Sequence, residues 1–153
     1  MSSQLKEFTT TAARPLPIII LADTSGSMAA EGKINALNQA MREMLTTFAE
    51  IDDLRAEIHV AIITFGGNIG LHTDFMSASD AKAQWQDMTA DGSTPMGPAM
   101  ELAAKVIEDK NVITGRAYRP TVILVSDGQP DHGWQTGLDQ LTKQGRAQKA
   151  VRM

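Results

Sequence analysis

Residues 16–27 read Leu16-Pro17-Ile18-Ile19-Ile20-Leu21-Ala22-Asp23-Thr24-Ser25-Gly26-Ser27, an apolar run that stops at a polar, glycine-containing loop. A half-exposed strand alternates apolar and polar residues. A run that is apolar at nearly every position suits a strand covered on both faces, as in a parallel sheet between layers of helices. Two more runs of this kind follow, at 57–65 (Ile58, Val60, Ile62, Ile63, Phe65) and at 121–126 (Val122-Ile123-Leu124-Val125). Between them the apolar spacing changes to three and four. Ile34, Leu37, Met41, Met44, Leu45 and Phe48 form one stripe on a helix over 33–50. Met96, Met100, Ala103 and Ile107 predict a helix over 97–110, and Trp134, Leu138, Leu141 and Gly145 predict one over 134–149. A further helix is expected over 77–88, with Trp85 and Met88 inward. Gly66-Gly67-Asn68 marks a turn from which 69–72 folds back as a short antiparallel edge strand. Alternating strands and helices define an α/β domain with a mainly parallel sheet and helices on both faces.

A chain of 153 residues has room for one domain. Residues 1–14, rich in Ser and Thr and without periodicity, read as a flexible lead-in, and 15–153 as the folded unit. With 42% apolar and 21% charged residues, disorder, collagen-like repeats and coiled coils are excluded. A net charge of −4 disfavours binding to nucleic acid. The absence of cysteine removes disulfides, thiolate metal sites and cysteine nucleophiles. The N-terminus lacks the basic-then-apolar pattern of a secretory signal, and the run at 18–22 is far too short to cross a bilayer. A cytoplasmic protein without membrane contact is the expectation.

In open α/β sheets ligands bind beyond the carboxyl ends of the strands. The first buried run ends in Asp23, Ser25 and Ser27 at alternating positions, and the last in Asp127. Thr94 lies in the loop 91–95, just before a helix. Two carboxylates and three hydroxyls make an all-oxygen set, suited to a hard cation such as Mg²⁺ rather than to zinc. Taken alone, Asp-x-Ser-x-Ser also reads as a turn held by side-chain hydrogen bonds. Asp131 and His132, near Asp127, read as ordinary loop polar residues, as do Asp87 and Asp91. His59 and His72 are not paired as ligands, and Met41, Met44, Met96 and Met100 are core positions rather than a cofactor site.

The strings DTSGS, GSTPMG and VSDGQPD resemble the three metal-binding loops of von Willebrand factor A (VWA) domains. LADTSGSM, GKINALNQA, ITFGG, DGSTPMGPAM and YRPTVILVSDGQPD are similar to bacterial intracellular members of the tellurium-resistance TerY type. The resemblance implies a Rossmann-like, doubly wound sheet and a metal-ion-dependent adhesion site (MIDAS) holding Mg²⁺ or Mn²⁺. Ser25 and Ser27 would bind the ion directly, Thr94 directly or through water, and Asp23 and Asp127 mainly through water or by holding the hydroxyls. Neutral first ligands leave the cation much of its field, so an Asp or Glu from a protein partner is the implied last ligand. The TerY likeness further implies a stress-response setting, with a Ser/Thr kinase and a PP2C-like phosphatase as partners. Domains of this family usually continue with further strands, whereas 150–153 reads as the start of one. The expected result is a C-terminally shortened domain in which 121–126 is an edge strand. Its unpaired groups from Val122 to Val125 would invite self-association or pairing with a partner. The alternative is a piece of a longer protein.

Two other classes compete with this reading. Asp23 at the end of a strand resembles the nucleophile of Mg²⁺-dependent haloacid-dehalogenase-type phosphatases, but Ser25 stands where those need a second Asp. No Walker A, Gly-x-Gly-x-x-Gly or Gly-x-Ser-x-Gly motif is present, so no enzyme is expected. A scaffold with a non-functional metal loop is the remaining class.

Overall fold

The computed structural model describes residues 13–51, 55–128, 131, 133–143 and 145–153. Residues 1–12 of the expected lead-in, and His132, lie outside these. Among the described residues the strands are β1 (Arg14–Thr24), β2 (Ala56–Gly66), β3 (Ile69–Ser77), β4 (Thr121–Val125) and β5 (Val151–Arg152). The helices are α1 (Lys33–Glu50), α2 (Ala78–Ala83), α3 (Met96–Glu108) and α4 (Trp134–Lys143), with 3-10 segments at Gly26–Gly32 and Ala147–Lys149. The strands form one sheet of order β3-β2-β1-β4-β5, parallel except for the β2–β3 pair.

The apolar run of β1 is covered on both faces. Ile18, Ile20 and Ala22 meet Leu37, Met41 and Leu45 of α1, while Ile19 and Leu21 meet Met100, Ala103 and Ile107 of α3. Removing each Ile or Leu side chain from water contributes about 1.5–3 kcal/mol, and the middle of β1, like that of β2, is wholly buried. On the outer side of α3, α4 approaches to backbone contact. A Cβ on Gly137 would lie 2.0 Å from the Gly97 carbonyl oxygen, so glycine is required there.

From β1 the chain winds through α1 to β2 on one side, and through α3 to β4 on the other. The order therefore reverses between β1 and β4, and the carboxyl ends of these two strands frame a crevice. Asp23 is the penultimate residue of β1, and Asp127 follows β4 by two residues.

Several expectations are corrected. The helix over 77–88 is only α2. Asn38 on α1 explains why: its amide donates to the Met88 carbonyl at 3.0 Å and its carbonyl accepts the Met88 N–H at 2.7 Å. This buried pairing holds residue 88 away from any helix, while Met88 still points inward. β3 runs five residues past the expected 69–72, across register shifts near Ile62. The last helix ends at Lys143, because Gly145 takes φ +51° and the Glu108 carboxylate accepts the Ala147 N–H at 2.8 Å. β4 is not an edge. Val151 N–H donates to the Pro120 carbonyl, Met153 N–H to that of Val122, and Leu124 N–H to that of Met153, at 2.8–3.0 Å. Its apolar run is nevertheless less covered than that of β1, with Leu124 38% exposed.

Candidate metal centre

Asp23 is completely buried, yet both of its carboxylate oxygens have partners. Oδ1 accepts the Ser25 N–H at 2.8 Å, and Oδ2 accepts the Ser126 hydroxyl at 2.6 Å. A buried carboxylate without donors would cost several kcal/mol, so these two bonds are what permit it here. The first is the turn-forming bond that a lone Asp-x-Ser-x-Ser predicts. The second is a contact across 103 residues that no turn accounts for.

Oxygen atoms then run outward in a chain. The Ser25 and Ser27 hydroxyls lie 3.2 Å apart, and Ser27 Oγ donates to Asp127 Oδ1 at 3.1 Å. Ser25 is buried whereas Ser27 and Asp127 reach the surface, so the chain opens to solvent at one end. Lys33, the first residue of α1, places Nζ 3.0 Å from Asp127 Oδ2. Its ammonium, aided by the Ser27 hydroxyl, holds the Asp127 carboxyl below the ordinary carboxylate range.

Three loops are laced in pairs around this chain. Gly26 N–H donates to the Gly92 carbonyl and Asp91 N–H to that of Thr24, both at 2.9 Å, which joins the first loop to the threonine loop. Thr94 N–H donates to Asp131 Oδ1 at 3.2 Å and the Thr94 carbonyl accepts the Asp131 N–H at 2.9 Å, which joins the threonine loop to the third. The Ser126 and Ser27 bonds close the triangle. Gly92 makes the first seam possible: at φ +79°, a Cβ there would fall 2.3 Å from the Gly67 Cα. Asp91 clamps the same turn, with Oδ1 accepting the Gly67 N–H at 3.0 Å.

The loops of Asp23, Ser25, Ser27, Thr94 and Asp127 thus meet: the Ser25 and Ser27 hydroxyls and the Asp127 carboxylate form one hydrogen-bonded set, and Asp23 is joined to it through the Ser25 backbone N–H. Thr94 is tied to the third loop through its backbone bonds with Asp131. Asp91 and Asp131, read from the sequence as ordinary loop polar residues, prove to be the clamps. Ser126 and Lys33 were not singled out. The Val-Ser-Asp order of the third loop was the available signal for Ser126, while nothing local marks Lys33. His59 pairs with Glu57 at 2.7 Å, and His72 bonds the Gln86 carbonyl at 2.5 Å, away from this set.

The donors are hydroxyl and carboxylate oxygens, and among the described residues no three His, Cys, Asp or Glu side chains gather to hold an ion, at this site or any other. Such a set fits a hard divalent cation that takes several oxygens and keeps some water. It provides neither the soft ligands nor the imidazoles of a zinc-selective site.

The class is therefore an open α/β domain with an oxygen-rich crevice at the switch point of its sheet. The model of the von Willebrand factor type A domain matches residues 18–129, and the chain belongs to that family. The human inter-alpha-trypsin inhibitor heavy chain H2 is 33% identical over 129 residues, covering 78% of this chain and 13% of that protein. The chain spans at most a fifth of the length of the curated relatives it matches. Among solved structures, proximal thread matrix protein 1 from the mussel byssus, with a zinc-occupied MIDAS motif, superposes with a TM-score of 0.65 at 16% identity. That match covers 93% of this chain and 38% of the other. The open form of the pilus adhesin SpaC from Lactobacillus rhamnosus GG gives 0.61 at 20% identity, covering 79% and 16%.

Proposed function

We propose that this domain binds a protein partner through a divalent cation, Mg²⁺ or Mn²⁺, at the crevice between β1 and β4. Ser25 and Ser27 hold the ion directly. Thr94 holds it directly or through water, and Asp23 and Asp127 steady these groups and bound water. The cation supplies a field that an Asp or Glu of the partner completes. The observation that carries the reading is the run from buried Asp23 through Ser25 and Ser27 to Asp127, held by three loops laced to one another. A MIDAS in the mussel protein and an adhesin among the structural neighbours support it.

A binding role fits better than catalysis. A nucleophilic Asp needs a free oxygen facing substrate, whereas Asp23 is buried with both oxygens accepting hydrogen bonds. Among the described residues no group beside it is placed as a general base. The TerY likeness favours a bacterial tellurium-resistance or stress setting in the cytoplasm, with a Ser/Thr kinase and a PP2C-like phosphatase as partners. No described helix is long and apolar enough to cross a membrane.

Thermal melts in Mg²⁺ and in EDTA test the reading. A ligand bound only by the native state adds about 2.7 kcal/mol at a hundredfold excess over its dissociation constant. The Mg²⁺ stabilisation should disappear in Ser25→Ala/Ser27→Ala and shrink in Thr94→Ala and Asp127→Ala, with all four proteins folded in EDTA. Equal melts of the unmutated protein with and without Mg²⁺ or Mn²⁺ would refute metal binding. Mg²⁺-dependent hydrolysis of a phosphate ester, lost in Asp23→Asn, would favour the phosphatase class.

A further inference from the structure

Lys33 is an odd residue to find where it is. It opens α1, an 18-residue helix with no acidic residue in its first turn. The N-terminal end of a helix carries positive partial charge, so a lysine there is electrostatically unfavourable for the helix. The residue before it, Gly32, is left-handed at φ 71° and gives no side-chain cap. Nothing in the helix itself calls for a cation at position 33. What the ammonium does contact is Asp127, at 3.0 Å on Oδ2, while Oδ1 of the same carboxylate accepts from Ser27. The Lys33 side chain is 40% exposed and that of Asp127 18%, so the pair sits at the rim of the crevice and is partly screened from water.

We propose that Lys33 is a tethered cation that competes with the divalent ion for Asp127 and so sets the metal concentration at which the site loads. The inference rests on the metal-binding reading above and deepens it. A single carboxylate shared between an ammonium and a divalent cation serves each less well, because the two positive charges repel one another across it. The residue that secures Asp127 therefore also weakens the site as a cation trap, and the domain fills only where the divalent ion is abundant. Charge at position 33 is the variable, rather than side-chain length or packing.

The test is a charge series in the full chain, with Mn²⁺ and Mg²⁺ alone as probes, read by titration calorimetry. Lys33→Met should bind roughly three- to tenfold more tightly than the unmutated protein, and Lys33→Glu more tightly still. Lys33→Arg, which keeps the charge, should stay within about twofold. Melts of each variant in EDTA establish that all are folded. A second readout follows the amine itself: acylation of Lys33, measured by mass spectrometry, should rise when Mg²⁺ saturates the unmutated protein. Unchanged or weaker metal binding in Lys33→Met overturns the proposal, as does Lys33 reactivity that ignores Mg²⁺. If neither the unmutated protein nor Lys33→Met binds either ion, the metal reading itself has failed. Binding that is indifferent to charge at position 33 sinks only the role of Lys33.

Discussion

The two sides of the crevice are built differently. On the β1–β2 side, an 11-pair parallel ladder is covered by α1 and α3, and the middle of β1 is inaccessible to water. Asn38 clamps Met88 there, and Asp91 and Gly92 close over the Gly66-Gly67 turn. On the β4–β5 side, a five-residue strand meets a two-residue one, with Leu124 38% and Val151 45% exposed. Both sides begin from similar apolar runs, Ile18–Ala22 and Val122–Val125. An apolar run states a demand for burial, and only the helices packed around it decide how far the demand is met. The candidate site straddles the two sides. Asp23, Ser25 and Ser27 are supplied by the firm side, whereas Asp127 comes from the open side and is held by Ser27 and Lys33.

The largest test of this contrast is a pair of truncations. Ile20→Ala should lower the unfolding free energy by about 2–5 kcal/mol, from lost burial and a residual cavity. Leu124→Ala should cost less, about 1 kcal/mol, because part of the Leu124 side chain already lies in water. Urea denaturation of both variants measures this, and equal losses would abolish the distinction between the sides. Next comes Asn38→Ala, which leaves the N–H and carbonyl of Met88 without their partners. We expect a loss of about 2–3 kcal/mol, together with faster amide exchange through residues 84–92. A loss confined to α1 would mean that the clamp does not organise the threonine loop.

Ser126→Ala should cost about 1–2 kcal/mol by depriving buried Asp23 of a donor. It should also loosen the seam between the two sides, so Mg²⁺ stabilisation should fall along with stability. Unaltered metal response in this variant would show that the seam is irrelevant to the site. The smallest effect concerns Asp87 at the surface. The Trp85 indole N–H, with the Arg42 guanidinium, holds its carboxyl below the ordinary range. Its folded value lies below its unfolded one, so the stability it adds is present above about pH 4 and disappears as the pH falls through the folded value. Trp85→Phe should raise the Asp87 value, read by carbon NMR of the carboxyl group, and lose slightly less stability on acidification.

Much of the fold was legible because it depends on local patterns. The three apolar runs and the stripe on α1 fall where periodicity places them, and α1 has the expected bounds. Patterns misled where a distant partner intervened. Residues 84–88 have helical spacing, but Asn38, 50 residues away, captures the Met88 backbone. The Gly145 region continues an apolar stripe, yet Glu108 captures the Ala147 N–H across 39 residues.

The loops around Asp23, Thr94 and Asp127 were recognisable because their residue types and their positions after strands or before a helix are written in the chain. The residues that hold them together were not: Lys33 and Asp127 are 94 residues apart, Thr94 and Asp131 37, and Asp23 and Ser126 103. The sequence by itself therefore determined the alternation of strands and helices, the apolar centre of the sheet and the oxygen-rich character of its crevice. These follow from side-chain chemistry and from the periods of helix and strand, which act over a few residues. The tertiary structure alone decided which serine braces Asp23, which lysine faces Asp127 and how far β4 is covered. Such outcomes depend on hydrogen bonds and packing that exist only once segments far apart in the chain are brought within about 3 Å of one another.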